Sequence, residues 1–381
     1  MAAGTTTRRI SAASARVHTR KSKPTTYLKI SGIFKKILFV SFVGLFAWAY
    51  QATLPPKPKT CGSPNGPLIT APRLQLKDGR FLAYTEFGVP KDKAKHKIVF
   101  VHGFDCCKHD FSAITSQLSS DIVENEEVYI VSFDRPGYGE SDPNPKQTVK
   151  SIAFDIEELA DQLGLGSKFY IVGFSLGGQI VWTCLKYIPH RLAGAVLLAP
   201  AINYWWPGLS SSVTREAYKQ QLLEDQWAMR VAHYVPGLNY WWNTQKLFPG
   251  FSLIAQSPRV LSRQDAELIP RVISIREEYQ AQVRQQGEFE SLHRDLAFMF
   301  GTWDFDPTDL KKPFSENDDE GPFVHLWHGD EDRIVPVTLQ RDIARKLPWV
   351  RYHELTGAGH MFPFADGMDD SIITTLLAGK K

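Results

Sequence analysis

The chain has 381 residues, 43% hydrophobic and 22% charged, an ordinary globular balance that excludes a disordered or fibrous protein. Its four cysteines (Cys61, Cys106, Cys107, Cys184) form no CxxC pair and are too few for a disulfide framework, and adjacent Cys106 and Cys107 read as small buried residues. The net charge of +3 is unevenly spread: residues 1–36 carry nine Lys/Arg and no acid, leaving 35 basic against 41 acidic residues, so the body is acidic and no nucleic-acid partner is expected.

The basic tail, residues 1–36, is rich in Ser and Thr, as targeting segments are. After Lys35-Lys36 comes ILFVSFVGLFAWAY, and the uncharged run lasts 20 residues, Ile37 to Pro56. At about 1.5 Å per residue a helix of that length reaches across a bilayer core of about 30 Å, with Trp48 and Tyr50 where interfacial aromatics sit. Residues 37–54 are therefore expected to be a single-pass membrane anchor with its basic end toward the cytosol. Either the endoplasmic reticulum or a plastid envelope fits. Residues 55–69, aperiodic and rich in Pro and Gly, read as a linker that holds the body off the membrane.

From residue 70 the pattern changes. RLQLKDGRFLAYTEFG alternates around Asp78-Gly79 and predicts a hairpin. Short apolar runs, each fully buried in character, follow at 97–103, 128–134, 169–175, 193–200 and 324–330. Between two of them, Ile152, Ile156, Leu159 and Leu163 fall on one helical face. Buried strands alternating with amphipathic helices predict a mostly parallel sheet covered on both sides, with the hairpin as an antiparallel edge. The core is expected over 70–202 and 315–381. Residues 203–314 interrupt it with a helical, aromatic-rich stretch (Tyr204, Trp205, Trp206, Trp227, Tyr234, Tyr240, Trp241, Trp242, Phe298, Phe300, Trp303, Phe305), expected to cap the strand ends, where ligands of such sheets bind.

Four short segments carry chemistry. GFSLGG, 173–178, follows a strand and precedes a helix, the setting of a nucleophile elbow presenting Ser175. A serine hydroxyl needs a base, and His360 in LTGAGHMFPF follows the last strand-like run. The base needs an acid to orient it; in HGDEDRIVP, Asp332 is favoured by position over Asp330 and Glu331. Ser175, Asp332 and His360 then stand in nucleophile–acid–base order along the chain. Negative charge on an attacked carbonyl needs fixed N–H donors, and the backbone amides of Leu176 and of Phe104, in FVHGFDCC, are placed to supply them. His325 and Asp330 spell a His-x4-Asp pattern, but His325 lies within a predicted buried strand and is read as coincidence.

With HGF (102–104), DRPGYGESDP (134–143) and the motifs above, the chain resembles the α/β-hydrolase superfamily over about residues 70–381. Its proline-rich pre-domain and basic N-terminal anchor are similar to those of plant membrane-associated members. The resemblance implies an α/β-hydrolase fold with an eight-stranded sheet, a cap inserted after the sixth strand, and a Ser175–Asp332–His360 triad needing neither metal nor cofactor. Serine at position 175 argues against the epoxide hydrolases and haloalkane dehalogenases of that superfamily, which use aspartate. The expected activity is a membrane-associated serine hydrolase cleaving a small-molecule ester, carboxylesterase- or lipase-like, through an acyl-enzyme on Ser175. The aromatic cap and the anchor suggest an apolar or lipid-like substrate. Two other functions fit the same residues: an acyltransferase passing the acyl group to an alcohol, and a non-hydrolytic small-molecule receptor.

Overall fold

A computed structural model describes residue 4 and residues 27–313 and 323–378. Most of the basic tail and the start of the last core segment lie outside the described residues. The chain divides into two compact units, one ending at Leu54 and the other beginning at Pro55.

In the first unit, helix α1 spans Tyr27–Thr53. Its apolar part, Gly32–Thr53, has 22 residues and a mean hydropathy of 1.6, long and apolar enough to cross a membrane. Large side chains such as Phe39, Phe46 and Trp48 lie exposed on it. The helix begins ten residues before Ile37, the start of the expected anchor, because lysine is a good helix former and a charge pattern marks only the apolar part.

The second unit is built on one eight-stranded sheet. Its strands are β1 (Arg73–Gln75), β2 (Phe81–Gly88), β3 (His96–Val101), β4 (Val128–Phe133), β5 (Phe169–Phe174), β6 (Leu192–Leu198), β7 (Val324–Gly329) and β8 (Val350–Leu355). The spatial order is β1-β2-β4-β3-β5-β6-β7-β8. β1 and β2 form the hairpin predicted around Asp78-Gly79, and β2 also runs antiparallel to β4; every other pair is parallel. All six residues of β4, β5 and β7 are buried, which is why none of them alternates regularly between apolar and polar residues.

Helices cover both faces. Helix α2 (Val149–Gln162) turns Ile152, Ile156 and Leu159 into the core, and α3 (Leu176–Tyr187) starts directly after β5 and is almost wholly buried. The chain leaves the sheet between β6 and β7 to form the cap, which includes α4 (Ser211–Gln220), α5 (Leu223–Tyr234), α6 (Arg263–Arg276) and α7 (Arg294–Phe300). After β7, helix α8 (Val337–Lys346) leads to β8, and α9 (Met368–Leu377) follows the loop after it.

The proline-rich 55–69 segment forms no regular helix or strand, yet it belongs to the same compact unit as the body. Lys59 N–H donates to the Gln286 carbonyl, Cys61 N–H donates to Gln286 Oε1, and Cys61 is buried. Composition speaks only to the backbone of this segment, whereas its packing comes from Gln286, more than 200 positions away.

Candidate active site

The elbow is built by close backbone approach. Ser175 sits between β5 and α3 at φ 55°, ψ −116°, a positive φ rarely adopted by a residue with a side chain. Its N–H donates to the Leu198 carbonyl and its own carbonyl accepts from Ala201 N–H, so the end of β6 and the loop after it fix the turn from both sides. A β-carbon on Gly173 would lie 2.2 Å from the Gly177 carbonyl oxygen, and one on Gly177 would lie 1.9 Å from that of Val101. The glycines crowded around Ser175 are therefore a packing requirement of the turn.

His360, on the loop after β8, is brought to this serine. The Ser175 hydroxyl donates to His360 Nε2 at 3.0 Å, and His360 Nδ1–H donates to Asp332 Oδ2 at 2.7 Å. The other Asp332 oxygen accepts from Ile334 and Val335 N–H, both at 2.8 Å, which fixes the carboxylate plane. His328 Nε2 lies 3.4 Å from Asp332 Oδ2. Burial alone would raise the Asp332 carboxyl, but the charge and hydrogen bond of His360 outweigh it and hold it below its ordinary range. Burial likewise disfavours a charged His360, and Asp332 overcomes it, so the imidazole is held above its ordinary value. Of the competing acids, Asp330 instead accepts from Gly357 N–H.

The second predicted donor loop lies against the elbow. A β-carbon on Gly103 would be 3.2 Å from the Ser175 Cβ. Neither Phe104 N–H nor Leu176 N–H donates to another group among the described residues. Arg135 holds this loop from behind: its Nε and Nη2 donate to the His102 and Gly103 carbonyls at 3.2 and 2.9 Å. Arg135 N–H also donates to His102 Nε2, so His102 carries its proton on Nδ1 and donates it to the Gly103 carbonyl. Burial, reinforced by Arg135, pushes the His102 imidazole well below its ordinary value and keeps it neutral.

A cavity of about 40 Å³ opens beside Ser175. Its walls come from core and cap together, with Phe104, Ile202, Met229, Phe251, Phe300 and Val335 among them. Of the aromatic residues singled out in the cap, Tyr204 and Phe300 reach this cavity. Trp206, Phe298 and Trp303 pack on one another inside the cap, whereas Trp227 and Tyr234 are exposed. Met229 and Phe251 carried no sequence signal, because an isolated apolar residue on a helix or loop does not announce which surface it faces. His325 lies in β7, buried, with its ring bonded to His353, away from the serine.

A family model described as "Alpha/beta hydrolase family" matches residues 98–370. The chain belongs to the alpha/beta hydrolase family. Among curated proteins, this hydrolase is 29% identical over 132 residues to a pimeloyl-[acyl-carrier protein] methyl ester esterase of Sodalis glossinidius (strain morsitans). That match covers 34% of the chain and 47% of the relative, so the chain spans about half the length of the curated relative it matches. Among solved structures, a thermophilic esterase from Thermogutta terrifontis superposes with a TM-score of 0.55 at 22% identity, over 82% of this chain and 100% of that one. An enol-lactonase from Burkholderia xenovorans LB400 gives 0.53 at 15% identity, over 81% and 99%. At these identities the likeness to solved structures is one of fold.

Proposed function

We propose that this α/β hydrolase cleaves a carboxylic ester through an acyl-enzyme on Ser175. The observation that carries this is the unbroken hydrogen-bond chain from Ser175 Oγ through His360 to Asp332 at the strained turn of the elbow. Ser175 Oγ attacks the ester carbonyl carbon while His360 Nε2 takes its proton. The carbonyl oxygen becomes anionic and is met by Phe104 and Leu176 N–H, the kind of donor pair that contributes about 3–4 kcal/mol per member to such transition states. Collapse breaks the bond to the alkoxide, which leaves as the alcohol with the His360 proton. Water, deprotonated by His360, then attacks the acyl-enzyme and releases the acid and the serine.

The apolar cavity walls favour an apolar acyl group. Since a single water needs about 10–15 Å³ of such space, a cavity of about 40 Å³ holds only a short chain with the cap in this position. In this proposal the acyl part is the group that enters the cavity, and it is short while the cap holds this position. Helix α1 serves as the N-terminal anchor in this proposal, holding the body beside a membrane. The curated relative is, by its name, a methyl ester esterase, which fits the same chemistry.

The test is fluorophosphonate labelling and turnover of short-chain esters by the full-length chain, wild type against Ser175→Ala. Labelling and turnover in the wild type alone support the proposal. A folded wild type that does neither defeats it and favours a receptor that keeps the pocket.

A further inference from the structure

His360 is gripped from the cap as well as from the core. Helix α6 starts with a capping box, in which Ser262 Oγ accepts from Asp265 N–H at 3.1 Å and Asp265 Oδ2 accepts from Ser262 N–H at 3.0 Å. That uses one oxygen of Asp265. The other, Oδ1, accepts from Met361 N–H at 2.7 Å, while the preceding residue, Gln264, accepts from Gly359 N–H through Oε1 at 2.7 Å. Two consecutive cap residues thus take the amides on either side of His360. The approach is so close that a β-carbon on Gly359 would lie 2.0 Å from Ser262 Oγ and 2.4 Å from Asp265 Oδ1. Asp265 is completely buried.

A helix needs an acceptor at its N-cap, but it does not need its third residue to reach a loop 96 positions away. The capping box accounts for one Asp265 oxygen and leaves unexplained why the second oxygen and the Gln264 side chain converge on the loop bearing the base. We infer that Gln264 and Asp265 are positioning residues for His360: they fix the backbone on both sides of it, so the seated cap sets where the ring stands between Ser175 and Asp332. This rests on the serine-hydrolase proposal. It gives the cap a part in the chemistry beyond walling the cavity, because lifting the start of α6 would release the base.

The two residues act by separable means. Gln264 is neutral and acts through geometry alone. Asp265 adds a buried negative charge that favours the protonated imidazole, as Asp332 does. The titratable groups facing His360 are His328 from the end of β7, Asp332 from the turn after it and Asp265 from the cap.

The experiment uses the full-length chain in lipid nanodiscs, as wild type, Gln264→Ala and Asp265→Asn, with each fold checked by its thermal midpoint. Two quantities are measured: kcat and KM on a soluble short-chain ester, and the titration of His360 followed by NMR of histidine-labelled protein. With a displaced base, kcat falls about tenfold or more in both variants while KM stays within about twofold. The His360 titration moves to lower pH in Asp265→Asn and stays put in Gln264→Ala, a contrast that mere loosening of the fold does not produce. Folded variants with wild-type kcat and an unmoved titration overturn the inference. If the wild type itself has no turnover, the hydrolase proposal fails separately, and solvent exchange of the two gripped amides decides: faster exchange of Gly359 in Gln264→Ala and of Met361 in Asp265→Asn supports the clamp, and unchanged exchange defeats it.

Discussion

Arg135 and Asp295 form a two-pronged ion pair inside the protein, Nη1 to Oδ1 and Nη2 to Oδ2, both at 2.7 Å. Arg135 follows β4 in the core and Asp295 lies on α7 of the cap, so the pair ties the two together directly behind the His102–Phe104 loop. Tyr138 also donates its hydroxyl to Asp295. With every group satisfied, the pair is weak evidence of net stability, but breaking it strands a charge in the interior. Asp295→Ala is expected to lose about 3–5 kcal/mol of unfolding free energy, measured by denaturant titration. A loss below about 1 kcal/mol would mean that Arg135 finds water or another acceptor and that the tie is dispensable.

The pH dependence of turnover follows from the same geometry as the mechanism. In the proposed mechanism His360 acts as a base only when Nε2 is free of a proton, and Asp332 holds its pKa above the ordinary 6.5. Activity is therefore lost as pH falls through that raised value, so the acid limb of kcat/KM, which reports the free enzyme, is expected above 6.5. Asp332→Asn removes the charge that raises it: the limb moves to lower pH while the plateau drops by about 10⁴-fold, as when a triad loses its acid. A limb unchanged by Asp332→Asn would mean that some other group titrates.

How much of this was legible in the sequence depends on how local each cause is. β4, β5 and β7 could be read because burial on both faces leaves a short, largely apolar run without regular alternation. Ser175 could be read because its turn demands glycines within a few positions on either side. Gln264 and Asp265 could not be assigned a role. Ser262-x-x-Asp265 marks a helix start, yet nothing local says that the same carboxylate reaches Met361. Arg135 stood inside a quoted motif, but its partner Asp295 lies 160 positions on, in a cap whose helices face one another and leave only weak periodicity. The burial of Cys61 was hidden in the same way by a composition that says only "loop".

The glycines of the elbow make a steric prediction with an internal control. A methyl on Gly177 meets carbonyl oxygens of Val101 and His102 at 1.9 and 2.9 Å, and neither backbone can move without shifting the donor loop. Gly177→Ala is expected to cost about 1–3 kcal/mol or more, and to slow fluorophosphonate labelling of the protein that still folds. Gly79, in the hairpin turn at φ 91°, has nothing within 4 Å of its would-be β-carbon. Gly79→Ala therefore carries only the left-handed backbone strain of about 1–2 kcal/mol and should label at the wild-type rate. Equal labelling rates for the two variants would show that the elbow tolerates displacement.

The cavity predicts a chain-length profile for the acyl group. Burying each methylene against Ile202, Met229 and Phe251 is worth about 0.8 kcal/mol, so kcat/KM should climb about fourfold per carbon while the pocket fills. A cavity of about 40 Å³ fills within a few carbons, after which the next methylene must displace packed side chains and the rate turns down. Met229, buried on α5 with its side chain in the wall, sets part of that limit. Met229→Ala, if its thermal midpoint shows a folded protein, should move the break to a longer chain, without changing the rate on an acetyl ester by more than about twofold. A homologous series of p-nitrophenyl esters measured on both proteins checks this. A wild-type profile that rises without a break into long chains would mean that the cap opens during turnover and that the acyl group is lipid-like after all.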